Sequence, residues 1–254
     1  MFTLQKWIPE DKLTKYLCYN RLADRYLKEH PDKIDWKYLS FSDHPFAFDI
    51  LEKNPGKMYS WVCSNPYAVK YLEKNPHRIN WNYLSLNPAA MNLLEQNQDK
   101  IYWVWLSQNP AAIQLLEKNL DKVNWLNLSE NPSAIQLLEA NPEKIDWVAL
   151  SSNPAAIHLL QKNPEKIDWH YLSANSEAIH ILEQNPDKVE WYYLSSNPAA
   201  IHLLQKNLDK VSWYQLSRNP AAIHLLEENQ DKIDWNQLSA NPAIFELEVE
   251  EWFY

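Results

Sequence analysis

Four histidines recur at one spacing: His158, His180, His202 and His224 stand 22 residues apart. Imidazoles in such a column suggest metal ligation or a proton-sensitive stripe. A metal needs its ligand nitrogens within about 2.1 Å of one ion. Side chains on successive repeat units should stand about 10 Å apart. The same column reads Asn92, Gln114 and Gln136 earlier in the chain, which suits a polar surface position. No metal site and no cofactor site is expected.

Acid–lysine pairs recur in the same way: Asp99-Lys100, Asp121-Lys122, Glu143-Lys144, Glu165-Lys166, Asp187-Lys188, Asp209-Lys210 and Asp231-Lys232. As catalysis, each would offer an acid/base pair. An active site, however, is one special environment, so the repetition predicts turn or capping acids, with lysines pairing along a stack. Serines from Ser85 to Ser239 each follow a leucine and precede an asparagine by two residues. A nucleophile needs a base within reach; these serines read as turn residues. Cys18 and Cys63 form no CxxC pair and cannot supply a four-thiolate zinc site. They read as small apolar residues in a reducing compartment. The expectation is therefore no catalytic residue and no enzyme.

Composition narrows the classes further. Gly56 is the single glycine of 254 residues. Phosphate-cradling loops and tight hairpins both lean on glycine, so nucleotide fingerprints are excluded and an all-β fold is disfavoured. Lysine and arginine number 24 against 33 acids, for a net charge of −9. A phosphate-binding surface needs the opposite balance, so no nucleic acid is expected as a partner. The start, "MFTLQKWIPEDKLTKYL", has no apolar core of a signal peptide, and no apolar run is long enough to span a bilayer. An intracellular, soluble protein without membrane insertion is expected.

These residues need elements to hold them, and the repeat describes those elements. Trp81, Trp103, Trp125, Trp147, Trp169, Trp191, Trp213 and Trp235 keep one period of 22. Leu-Ser pairs follow in phase. One asparagine column runs from Asn87 to Asn241 and a second from Asn75 to Asn229. In "LSLNPAAMNLLEQN" (84–97), Asn87 is a helix N-cap and Pro88 suits the first helical position. Ala90, Met91, Leu93 and Leu94 share one arc of the helix. "KIDWxxLS" predicts a second, shorter helix, with Trp and Leu on one side. Neither helix could stand alone, so the units must stack. The fold class expected is all-α: an α-solenoid of about ten helical-hairpin repeats with irregular caps. A leucine-rich repeat is disfavoured because the leucines come as adjacent pairs such as Leu159-Leu160. Residues 1–20 are expected as an N-terminal cap and 21–244 as the array, regular from about 75. Residues 245–254 are expected as an acidic-aromatic tail or cap. Helices pack about 8–10 Å apart, so about ten units predict a span on the order of 100 Å.

The segment "NPAAIHLLEENQDKIDWNQLSANP" (219–242) resembles the Asn-Pro/Trp-Leu-Ser short repeats encoded in many copies by giant double-stranded DNA viruses. The resemblance covers about residues 20–244. It implies a viral origin and a location in infected-cell cytoplasm or virion. It implies no activity and no catalytic residues.

Between the fixed columns, the two positions after each tryptophan vary. In solenoids such positions usually face outward and supply a binding surface. Tyrosine and tryptophan are enriched at interface hot spots, so Trp105, Tyr171, Tyr192, Tyr193 and Tyr214 are the candidate partner surface. Trp252, Phe253 and Tyr254 of the tail join them as a docking peptide or cap. The function expected is a non-enzymatic scaffold that binds a host or viral protein, with self-association as a variant. The alternative is a strut or cement in a virus particle. Nucleic-acid reading is a distant third.

Overall fold

The computed structural model describes residues 2–247. It is an all-α repeat solenoid, and each regular unit has three short helical pieces. In one such unit, Pro154–Ala156 forms a 3-10 turn that runs into the α-helix Ile157–Lys162. A second 3-10 turn, Pro164–Lys166, leads to the α-helix Trp169–Ala174. Asn153 caps the first piece and Asp168 the last. Proline opens both 3-10 turns, where its missing N–H costs nothing. Asn163 stops the first α-helix at φ −134° and ψ 58°, and its Nδ2 donates back to the Leu159 carbonyl at 2.9 Å.

The core is a stack of identical layers. Leu150, Ala156, Leu160 and Leu172, with their equivalents, are fully buried. Each framework tryptophan is half-buried, and in six units the lysine of the next unit lies over its indole. Lys100 is 4.8 Å from the Trp81 ring, Lys166 4.3 Å from Trp147 and Lys232 4.7 Å from Trp213. The lysines thus serve the stack as cation–π partners, rather than by pairing with its acids.

Two polar columns join the layers. Ser129 donates to the Trp125 carbonyl at 2.7 Å, within its own helix, and accepts the Asp146 N–H of the next unit at 3.0 Å. Asn153 does three things at once. Its Oδ1 accepts the Ala155 N–H at 3.0 Å, and its Nδ2 donates to Ser129 at 2.9 Å and Asn131 at 3.1 Å in the preceding unit. Both side chains are wholly buried. Capping, the role expected for these asparagines, is only one third of what they do.

The early units keep this scheme with substitutes. Cys18 and Cys63 occupy the serine column; the Asn80 N–H lies 3.3 Å from the Cys63 sulfur. Both cysteine units have lost one residue, the framework tryptophan, and wind as 3-10 helices, Lys15–Tyr19 and Ser60–Ser64. The basic residue that would cover the lost indole turns to a carbonyl instead. Lys33 bonds Glu10 at 3.4 Å and Arg78 bonds Pro55 at 3.0 Å. In the second unit, extra residues split one asparagine's work between two side chains. Ser42 donates to the Cys18 carbonyl of the unit before, and His44 Nδ1 accepts the Ala47 N–H at 3.3 Å.

The first and last units meet in the same register. The Thr14 N–H donates to Ser239 Oγ at 3.0 Å, as Asp146 does to Ser129. Asn20 Nδ2 donates to the Asn241 carbonyl at 2.8 Å and the Ser239 carbonyl at 3.4 Å, while its Oδ1 accepts the Leu22 N–H. These are the three bonds of Asn153, made across the two ends of the chain. Strands β1 (Phe2–Leu4) and β2 (Phe245–Leu247) then pair antiparallel over the joint, Thr3 opposite Glu246. The solenoid is a closed ring. Its column reads Asn20, Ser42, Asn65, Asn87, Asn109, Asn131, Asn153, Asn175, Asn197, Asn219 and Asn241, which makes eleven units. The open span of about 100 Å expected from stacking does not form, because each unit turns a little and the turns sum to a circle. Residues 15–20 supply the first inner helix of the ring and its asparagine, and 245–247 are its clasp.

Candidate functional site

A ring has an inner and an outer wall. Most neighbouring Trp-x-x-Leu-Ser helices pack directly on one another, and the last of them, Trp235–Ala240, packs against Lys15–Tyr19. The Ile-x-Leu-Leu helices stand further apart. On a curved stack the closer-set layer is the inner one. Eleven helices about 8–10 Å apart describe a circle roughly 14–18 Å in radius.

Three positions of each inner helix are mostly half-buried or exposed: the two after tryptophan and the one between serine and asparagine. They point into the lumen. The clearest sign is a cavity of about 610 Å³ lined by Tyr19, Phe41, Leu86, Pro88 and Arg218. Arg218 belongs to the tenth unit and Leu86 to the fourth, on opposite sides of the circle. A second sign is convergence. Rings in successive units come within 5.1 Å (Tyr16–Tyr38), 5.8 Å (Phe41–Trp61) and 5.2 Å (Tyr83–Trp105), closer than their helices can.

The lumen wall therefore carries two aromatic arcs. One runs through the first five units, from Tyr16 to Trp105. The Trp61 indole donates to the Tyr83 hydroxyl, and Trp105 meets Tyr102 edge-on at 5.3 Å. The other spans units eight to ten. Tyr171 and Tyr193 lie 6.2 Å apart, Tyr192 and Tyr193 5.3 Å, and Gln237 donates to the Tyr214 hydroxyl at 2.9 Å. Asn127 and Ala149 separate the arcs on one side, Gln215 and Gln237 on the other. Trp105 and Tyr193 are half-buried, whereas Tyr171, Tyr192 and Tyr214 are 42%, 49% and 48% exposed. The structure thus gathers Trp105, Tyr171, Tyr192, Tyr193 and Tyr214 on one continuous wall, on the concave side of the ring. Trp252, Phe253 and Tyr254 lie outside the described residues.

Sequence reasoning passed over the third lumen position. It holds Tyr19, Phe41, Leu86, Gln108, Glu130 and Arg218. Its signal was present: it varies as freely as the two positions after tryptophan. Gln108 donates to Glu130 at 3.2 Å. Partial burial, helped by the Asp146 charge, raises the Glu130 carboxyl above its ordinary value. Burial likewise pushes the Tyr19 phenol up to about 12.

The other chemical candidates are occupied elsewhere. The histidine column lies on the outer wall, each ring beside the preceding unit: His158 with Glu139 at 3.0 Å, His180 with Gln161 at 2.8 Å, His202 with Glu183 at 2.8 Å, and His224 with Gln205. Among the described residues, no group of three His, Cys, Asp or Glu side chains is placed to hold a metal. Burial raises the Cys18 thiol to about 11 and the Cys63 thiol in the same direction. Among the described residues, no helix is long and apolar enough to cross a membrane. Comparison with protein-family models, with curated proteins and with solved structures finds no match for this chain.

Proposed function

We propose that the protein is a non-enzymatic ring scaffold that binds a segment of another protein on its inner wall. One observation carries this reading. Around the whole circle the leucine, serine and asparagine positions keep their residue or a functional substitute, while the three lumen positions vary and hold exposed tyrosines. Framework constancy with variation confined to one concave face is the pattern of repeat scaffolds that recognise partners, and tyrosine is a favoured contact residue. The absence of catalysis is supported by the use of the serine and asparagine columns as interunit bonds. On the resemblance to viral repeats, we place the partner in the host or the virus, in infected-cell cytoplasm or in the particle. A strut or cement role is less well supported, because closure leaves no free end for end-to-end joining.

The test is selection from a peptide library on the purified ring. Selected peptides should bind the native protein and lose affinity with Tyr192→Ser together with Tyr193→Ser. The outer-wall changes Glu183→Gln and His202→Gln should leave them unaffected. Peptides that ignore the inner-wall changes and respond to the outer-wall ones would refute the reading.

A further inference from the structure

The two aromatic arcs differ in one respect. In the first arc, the protein places ammonium groups over two of its own rings. Lys15 lies 4.9 Å from the centre of the Tyr38 ring, and Lys37 lies 5.3 Å from that of Trp61. Both lysines occupy the position just before the aromatic of that column. The framework tryptophans Trp169 and Trp191 are covered in the same way by Lys188 and Lys210 of the following units. In the second arc the corresponding positions are His170, Tyr192 and Tyr214. Among the described residues, no ammonium or guanidinium lies over Tyr171, Tyr192, Tyr193 or Tyr214.

Carboxylates stand at the N-caps of two of the helices that carry these rings. Asp168 and Glu190 occupy the cap positions of the two helices that carry Tyr171, Tyr192 and Tyr193. One Asp168 oxygen accepts the His170 and Tyr171 amides at 3.0 and 3.1 Å, which leaves the other free. Glu190 makes no cap bond and its side chain is 45% exposed. His170 lies between them, 3.7 Å from Asp168 and 3.8 Å from Glu190, too far for a hydrogen bond to either. Tyrosine faces with adjacent carboxylates are the surroundings in which a cation is attracted both by the ring quadrupoles and by charge.

We propose that the inner wall of units eight to ten binds the cationic head of a lysine or arginine from a basic segment of the partner. The site comprises Tyr171, Tyr192, Tyr193 and Tyr214, with Asp168 and Glu190 as counter-charges. It lacks the ammonium groups that Lys15 and Lys37 supply on the opposite arc; in their place His170 meets the Tyr193 ring edge-on at 5.7 Å. The proposal rests on the inner wall being the binding face, and it specifies what that face selects.

The experiment uses the full chain and three probe peptides of one design: a lysine–serine peptide, its norleucine counterpart and its glutamate counterpart. Binding is read by calorimetry and by NMR of the tyrosine rings. The lysine peptide should bind about tenfold tighter than the norleucine peptide, and its affinity should fall with salt. Tyr192→Leu with Tyr193→Leu should remove about that factor. Tyr193→Phe should retain it, because phenylalanine keeps the ring face. Glu190→Gln should weaken binding and flatten its salt dependence, and the outer-wall Glu183→Gln should do neither. Circular dichroism establishes that each variant is folded. Equal affinity for lysine and norleucine, or indifference to the leucine changes, would overturn the cation site. If the norleucine or glutamate peptide bound the inner wall instead, the scaffold reading would stand and this inference would fall. Binding of every probe outside the lumen would sink both.

Discussion

Replacing Asn153 with alanine should cost far more than replacing Asn163 with alanine, although both are helix-end asparagines of one unit. Asn153 is fully buried and makes three hydrogen bonds, one to its own helix and two to the preceding unit. At about 1 kcal/mol each, with buried carbonyls left short of a donor, the loss comes to about 3–4 kcal/mol. Asn163 is half-buried and makes one bond, to Leu159, so about 1 kcal/mol is expected. Asn153→Asp sharpens the test. It keeps the oxygen that caps the helix and loses both donors, and it aims a carboxylate at two carbonyl oxygens. It should cost at least as much as alanine. Urea unfolding of the three variants, with unchanged denaturant slope, supplies the comparison. If Asn153→Ala lies within about 1 kcal/mol of Asn163→Ala, or if Asp is milder than Ala, the buried asparagine is an ordinary cap and the clamp argument is wrong.

Two further outcomes follow from the geometry. Thr3 and Glu246 face each other in the β1–β2 pair, so Thr3→Cys with Glu246→Cys should form an intramolecular disulfide under mild oxidation, seen by mass spectrometry without reductant. Failure to bridge in the native state, with the single variants folded, would argue against the closed joint. The second concerns alkaline pH. Burial raises Cys18 from an ordinary 9.0 to about 11, and Tyr19 and Tyr26 from 10.0 to about 12. Each neutral group then favours the folded state below its unfolded value, and that contribution fades as pH rises through the folded value. Stability should therefore fall between about pH 9 and 12, and the thiols should react with maleimide at pH 7 only on unfolding. Cys18→Ser should make the early part of that fall shallower; an unchanged profile would refute the assignment.

Much of this architecture was legible in the chain itself. The spacing of Trp81, Leu84, Ser85 and Asn87 gives the helices, their caps and the buried layers, because burial and capping act within one unit. What lay beyond it acts between units. Nothing in Ser129 or Asn153 says whether its second hydrogen bond goes to a turn or to a neighbour. Closure is the sum of small rotations, about 33° for each of eleven units, and no periodicity of 22 encodes an angle. One trace of it was readable. "TKYLCYN" (14–20) carries a cap, a leucine, a serine substitute and an asparagine in the order of "DWNQLSAN" (234–241), so the first unit has what it needs to follow the last. The concave placement of Tyr171, Tyr192 and Tyr214 depends on the sense of the curvature, which the same angle decides.

The joint between Asn20 and Asn241 also changes how the molecule can come apart. An open stack frays, because its terminal unit is held by a single neighbour and leaves at the cost of one interface. Here every unit, the first and last included, has two neighbours. Releasing any one unit must break two interfaces, wherever it lies. A chain of weak, nearly equivalent units is thereby given the all-or-none unfolding of a single domain. Its amides should exchange with solvent at a similar rate all round, with no gradient from the chain ends inward.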